Sequence, residues 1–321
     1  MRERTFTIPV LAPFRLDLTA WALRRRVDNA VDRWDGYAYR RVLAFDAGPV
    51  EVAAVRAGSP ERPELEVTLA GRSVDEGTER TARALLTAML GLEIDLSAFY
   101  QLAAADPFLA ELASRFRGLK PPRLPSLFEC LVNAIACQQL TLTVGIRLLN
   151  RLAAAHGTSL GAARHAFPCS SDLARLAPEE LLPLGFSHAK ARSIVLLAAA
   201  ISRDDFRPDE LEALDDDAAL ERLLALRGIG RWSGEYALLR GLGRLHVFPG
   251  DDVGARNNLA RRLGRPGPLD YSAVAEAVRP WQPFAGLVYF HLLLANLEER
   301  GLLDSGEAAP HAHSLVPEAH R

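Results

Sequence analysis

Cysteine is scarce. The chain has three in 321 residues, Cys130, Cys137 and Cys169. Three cannot all pair, and a chain of this length folds without disulfides, so reduced thiols are expected. Four thiolates are also lacking for an iron-sulfur cluster. No run of about eighteen uninterrupted apolar residues occurs, which leaves no candidate membrane-spanning helix. The opening Met-Arg-Glu-Arg-Thr lacks the apolar segment of a secretory signal. These absences predict a cytoplasmic protein without a membrane partner. An excess of one charge is missing too, since 38 Lys and Arg against 40 Asp and Glu give a formal −2. Proteins that bind nucleic acid chiefly by neutralising phosphate carry a basic excess, so the balance weighs against such a partner without forbidding it. Lysine is nearly absent: Lys120 and Lys190 are the two present. The positive charge is therefore arginine, which suits bidentate phosphate contacts but equally reflects a bias towards Arg, Ala and Leu.

What is present is apolar patterning, with 49% hydrophobic residues, ample for a packed core. FTIPV, GYAYRRVLAFDAG, VEVAAVRAG and ELEVTLAG show β-branched or alternating text between Gly, Pro and Ser, the mark of an antiparallel sheet. Leu16 to Val27 and Val74 to Leu90 carry helical spacing and are expected to cover one face. Residues 1–94 thus read as an α+β domain. Beyond Ile94 the strand signals fade. Helical periods recur at Leu96 to Ala104, Phe108 to Phe116, Leu127 to Ala155, Ala189 to Ile201, Asp217 to Leu226, Arg231 to Leu242, Val253 to Leu263 and Trp281 to Arg300. Residues 95–304 therefore read as all-α. The tail, residues 305–321 with His311, His313 and His320, has no apolar period and is expected to be disordered rather than metal-binding.

Leu226 to Leu263 holds two signals that bear on chemistry. Gly228-Ile229-Gly230 is not a dinucleotide fingerprint, because a helix rather than a strand precedes it and Gly234 falls one position late. Helix, glycine turn, helix makes a hairpin whose second helix opens with unpaired amides. Those amides suit a phosphate, and a glycine cap between packed helices is the alternative. Asp251 and Asp252 follow Pro249-Gly250 at a helix start. Adjacent residues point different ways and leave no gap for a sugar ring, so they are not a glycosidase acid and base pair. One can cap the helix while the other projects into a cleft. Trp232 and Tyr236, at i and i+4, share a helix face.

LRGIGRW followed by FPGDDVGAR, with PFRLDLTAWALRRR, RRVLAF, LFECLVNAIACQQLTLTVG, LGFSHAKARSI and RPWQPFAGLVYFHLL in the same order, resembles the helix-hairpin-helix DNA glycosylases. Within that superfamily it is most similar to the 3-methyladenine DNA glycosylase II type. The resemblance covers Thr5 to Arg300. It implies a helix-hairpin-helix catalytic region in the α-helical half that flips alkylated bases, 3-methyladenine or 7-methylguanine, out of double-stranded DNA and removes them by hydrolysis. It assigns Asp252 as the catalytic carboxylate, leaving Asp251 to cap, and Trp232 and Tyr236 as pocket aromatics. Leu293 stands where a relative has a pocket tryptophan, and Val253 where a tyrosine occurs, so the expectation is either a more open pocket or one filled by another aromatic, such as Trp21 or Phe290. Gly228, Ile229 and Gly230 would meet the DNA backbone, and Gln139 aligns with the side chain that fills the gap left by the flipped nucleotide, with Leu140 the better apolar wedge. The carbonyls of Leu224, Leu226 and Gly228 correspond to a monovalent-cation site, Na+ or K+; no other cofactor is implied. Strand-cutting relatives place a lysine just after the hairpin, where Trp232 stands here, so a monofunctional enzyme acting as a monomer is expected. The rivals are a glycosylase for oxidised purines and a non-catalytic DNA-binding module.

Overall fold

The computed structural model describes residues 1–161 and 163–303; the tail beyond, with its histidines, lies outside the described residues. Five strands, β1 (Arg2–Pro9), β2 (Arg33–Trp34), β3 (Ala38–Phe45), β4 (Gly48–Gly58) and β5 (Pro63–Gly71), form one antiparallel sheet in the order β1-β5-β4-β3-β2. Their alternation is the cause. Phe6 and Ile8 on β1, Val50, Val52 and Ala54 on β4, and Leu65, Val67 and Leu69 on β5 all face inward at period two. Helices α1 (Leu16–Arg24) and α2 (Glu76–Met89) close over that face with Leu16, Ala20 and Leu23, and with Ala82, Leu86 and Met89. Asp75 starts α2 by accepting the Thr78 N–H at 2.8 Å. Helix α1 is apolar nearly all round because Leu18, Trp21 and Ala22 join a second core on its other side.

Eleven further α-helices follow among the described residues: α3 (Ser97–Ala104), α4 (Pro107–Arg115), α5 (Leu127–Cys137), α6 (Leu142–His156), α7 (Ser170–Leu173), α8 (His188–Ser202), α9 (Asp216–Leu224), α10 (Arg231–Arg240), α11 (Val253–Arg262), α12 (Tyr271–Val278) and α13 (Ala285–Glu299). A two-stranded hairpin, β6 (Ser159–Gly161) and β7 (Arg164–His165), interrupts them after α6. The expected single helix from Leu127 to Ala155 is two, because Gln139 takes a left-handed φ of 54° and Thr141 caps a new start. Helix α12, which the apolar pattern did not mark, is capped by Asp270.

Two cores serve this half. One surrounds α5, whose residues Leu127 to Ala136 are all buried, and draws in α6, α8 and α10. The other surrounds α13 and includes Phe99, Phe116, Trp281 and Phe290. A buried ion cluster ties the sheet to α5: Arg41 on β3 donates to Asp32 Oδ1 at 2.7 Å and to Glu129 at 2.5 Å, and the Tyr39 hydroxyl donates to the same Asp32 oxygen at 2.7 Å. Burial pushes the Glu129 carboxyl above its ordinary value, with Arg41 opposing. No described helix is long and apolar enough to cross a membrane.

Candidate active site and nucleic-acid interface

Helices α9 and α10 form the expected hairpin. Gly228 has φ +81°, and a Cβ there would lie 2.3 Å from Ser193 Oγ, so both conformation and space demand glycine. Ile229 is buried and anchors the turn in the α5 core. Gly230 is the N-cap of α10 without a side-chain cap, and a Cβ there would meet nothing within 4 Å. The N-terminus of this ten-residue helix is thus open at Gly230 and flanked in sequence by exposed Arg227 and Arg231. That is the local chemistry of an anion site.

In the first turn of α10 stands Trp232, half-buried, with its ring centroid 5.5 Å from that of Tyr236. The Trp232 Nε1–H donates to Asp252 Oδ2 at 3.1 Å. The same oxygen accepts the Tyr289 hydroxyl at 3.0 Å, while Asp252 Oδ1 accepts the Ala255 N–H at 2.8 Å as the N-cap of α11. The division of labour expected for the two aspartates is therefore wrong. Asp252 both caps and turns its second oxygen to Trp232 and Tyr289, because the cap needs the N–H three residues on and leaves that oxygen free to face α10 and α13. Asp251 is half-buried and makes no capping bond.

Tyr236 is more enclosed than a stacking platform would be, at 2% exposed. Its hydroxyl donates to Asn133 Oδ1 at 3.1 Å and accepts from the buried Arg25 guanidinium at 3.1 Å. The Arg240 guanidinium lies 5.6 Å from its ring centroid. Burial pushes its phenol up, and the two guanidinium groups oppose that shift. Leu293 is half-buried on α13, one turn beyond Tyr289 and on its face. Val253 is exposed.

Gln138, Gln139 and Leu140 form the turn between α5 and α6 beside the hairpin. Gln138 Nε2 donates to the Gly228 carbonyl at 2.7 Å and to Ser233 Oγ at 2.8 Å. Lys190 Nζ donates to the Ala136 and Gln138 carbonyls at 2.8 and 2.7 Å. Gln139 and Leu140 project from this braced tip, both exposed. Of the carbonyls assigned to a cation, that of Leu226 accepts the Ile229 N–H at 3.1 Å, and that of Gly228 takes the Gln138 amide. The cysteines are unpaired. Burial pushes the Cys130 thiol up to about 12.

Sequence reasoning missed Tyr289, Arg25, Asn133 and Gln138. Tyr289 had a signal, standing in the aromatic run of α13 at i and i+4 with Leu293. Arg25 had none, because its place follows from a left-handed residue, φ 56°, at the end of α1.

Residues 132–283 match the family model for HhH-GPD superfamily base excision DNA repair protein. The chain is 31% identical over 206 residues to a DNA-3-methyladenine glycosylase of Bacillus subtilis, covering 63% of this chain and 67% of that protein. It is 30% identical over 283 residues to a probable bifunctional transcriptional activator/DNA repair enzyme AlkA of Mycobacterium tuberculosis, covering 87% of this chain and 55% of that longer relative. Among solved structures, a 3-methyladenine DNA-glycosylase from Archaeoglobus fulgidus superposes with a TM-score of 0.79 at 25% identity, covering 91% of this chain and 98% of that one.

Proposed function

Because the chain belongs to the HhH-GPD superfamily of base excision DNA repair proteins, we propose that it is a monofunctional DNA glycosylase that hydrolyses alkylated bases, of the 3-methyladenine and 7-methylguanine type, from double-stranded DNA. In this reading it works as a cytoplasmic monomer. The observation that carries the reading is Asp252 Oδ2, held between Trp232 Nε1 and the Tyr289 hydroxyl beside the hairpin. When the bond from sugar to base breaks, the electron pair leaves with the base, the sugar becomes an oxocarbenium ion, and water adds to it and gives up a proton to the solvent. A preorganised anion stabilises that cation. An alkylated base that is already positive leaves as a neutral molecule, so one carboxylate suffices.

The amides of Gly230 and the first turn of α10 grip a phosphate, Gln139 or Leu140 fills the gap, and the half-buried face of Trp232 receives the flipped base with Leu293 on the pocket wall. Neutral carbonyl oxygens such as those of Leu224, Leu226 and Gly228 suit Na+ or K+, and the two already engaged keep a second lone pair each. The chemistry requires no other cofactor. Trp232 occupies the position a Schiff-base lysine would need, and Lys190 Nζ is committed to two carbonyls, which supports hydrolysis without strand cleavage. A module that only binds DNA has no use for a carboxylate so placed.

The test is incubation with methylated duplex DNA, with released bases identified by mass spectrometry and borohydride added in a parallel reaction. Free 3-methyladenine or 7-methylguanine is expected, with intact abasic strands and no covalent adduct. Release of no base from any lesion overturns the enzymatic reading. A borohydride-trapped adduct overturns the monofunctional one.

A further inference from the structure

The loop that carries Asp252 is a turn closed by the Asp252 N–H on the Pro249 carbonyl at 3.0 Å. Within it, Gly250 donates its N–H to Glu235 Oε2 at 3.0 Å. The other Glu235 oxygen accepts the Tyr271 hydroxyl at 2.6 Å. Glu235 lies on α10 between Trp232 and Tyr236 and is 5% exposed. The clamp is tight: a Cβ on Gly250 would lie 2.8 Å from the Tyr271 ring, and the Arg231 guanidinium sits 4.6 Å from that ring's centroid. One helix thus supplies both Trp232, which bonds the Asp252 carboxylate, and Glu235, which bonds the backbone two residues before it.

A buried carboxylate is costly, and an apolar residue would fill the same space more favourably. Burial indeed pushes the Glu235 carboxyl above its ordinary value, with Tyr271 and Gly250 opposing. What a carboxylate does here that an apolar side chain cannot is accept two hydrogen bonds at once, from α12 and from the loop. We propose that Glu235 is a positioning residue for base excision, fixing the Pro249–Asp252 loop through the Gly250 amide so that Asp252 Oδ2 stays between Trp232 and Tyr289. It rests on the glycosylase reading, and it adds a residue that bonds the loop two positions before Asp252 rather than the carboxylate itself.

Three variants test it, Glu235→Ala, Glu235→Gln and Tyr271→Phe. Each is measured for single-turnover excision at saturating protein, affinity for a duplex with an abasic-site analogue, and the 1H–15N indole resonance of Trp232, assigned with Trp232→Phe. A misplacement of about 1 Å costs roughly 100-fold, so Glu235→Ala should slow excision by roughly 10-fold to 100-fold. Its DNA affinity should stay within about threefold, a difference well below one factor of ten. The Trp232 indole resonance should shift as its bond to Asp252 is disturbed. Glu235→Gln, whose amide oxygen still accepts the Gly250 N–H, should recover most of the rate. Excision at the normal rate with an unmoved indole resonance overturns the proposal. So does a rate loss that merely tracks the folded fraction and DNA affinity. Should Glu235→Ala not fold, Tyr271→Phe removes one of the two bonds and must show a smaller loss with a smaller shift; an unchanged rate and resonance there overturns the proposal equally. If the wild-type chain releases no base, the glycosylase reading fails, while the indole resonance still decides whether Glu235 places Asp252.

Discussion

Replacing Asp252 by Asn keeps the side chain's size and removes its charge, and the three hydrogen bonds around the group determine how the variant behaves. If the amide oxygen keeps the cap on the Ala255 N–H, the NH2 group lies where Oδ2 was and faces the Trp232 Nε1–H, a donor that cannot reverse. If the amide flips, Trp232 and Tyr289 are satisfied and the cap is lost. Either way stability falls by about 1–2 kcal/mol, the range of a lost cap or an unpaired partly buried donor. Excision suffers more. Loss of a single preorganised electrostatic stabiliser costs roughly 100-fold to 1000-fold in rate, about 2.7–4 kcal/mol. Lesion affinity should persist, because the flipped base and the phosphates still have their partners. Asp251→Asn is the control: since that side chain does not cap, its stability should stay within about 0.5 kcal/mol of wild type. Single-turnover excision on one defined lesion, binding to an abasic-site analogue and thermal unfolding separate these effects. Wild-type excision by Asp252→Asn would refute the mechanism, and an inactive Asp251→Asn beside an active Asp252→Asn would reverse the two roles.

Burial leads to two further outcomes. Trp232→Ala should weaken lesion binding by about 1–3 kcal/mol per stacked base with a modest change in stability, whereas Tyr236→Phe should cost about 1–3 kcal/mol of stability by depriving Arg25 and Asn133 of a partner. Thermal melts beside excision rates check this, and an unchanged melting temperature for Tyr236→Phe contradicts the buried network. His291 is held neutral in the α13 core, its pKa lowered by burial from the ordinary 6.5 to about 4. Its folded-state pKa lies below the unfolded one, so the associated stability is fully present above about pH 6.5 and is lost as pH falls towards 4, about 3 kcal/mol in all. Denaturant midpoints between pH 7.5 and 4.5 should fall less steeply in His291→Phe than in wild type; equal slopes contradict the assignment.

The parts of this molecule legible in the sequence are those written in local pattern. Alternation marks the sheet because each strand has one buried face, and Gly228 marks the hairpin because a left-handed residue pressed against Ser193 admits nothing else. The break between α5 and α6 is hidden because apolar spacing continues through it, and the turn at Gln139 is braced from elsewhere, by Lys190 and by Gly228 and Ser233, which accept from Gln138. The burial of Tyr236 is hidden for a related reason. Sequence shows which helix face it shares with Trp232 but not that Arg25 and Asn133 arrive from other elements to enclose it.

The two aspartates show where local pattern stops deciding. Both follow Pro249-Gly250, and either could cap, since each is followed three residues on by a backbone N–H, that of Gly254 or of Ala255. What selects Asp252 is the rest of the fold: α10 brings Trp232 and α13 brings Tyr289 to one side of it, and Glu235 fixes the loop from within. Given those donors, the cap is not a rival to the catalytic role proposed for Asp252. A carboxylate on a short side chain has two torsions to fix. The bond from the Ala255 N–H to Oδ1 holds the plane of the group, so Oδ2 meets Trp232 and Tyr289 already oriented. Capping and aiming are then one interaction, and an acidic residue shifted by a single position would lose both together.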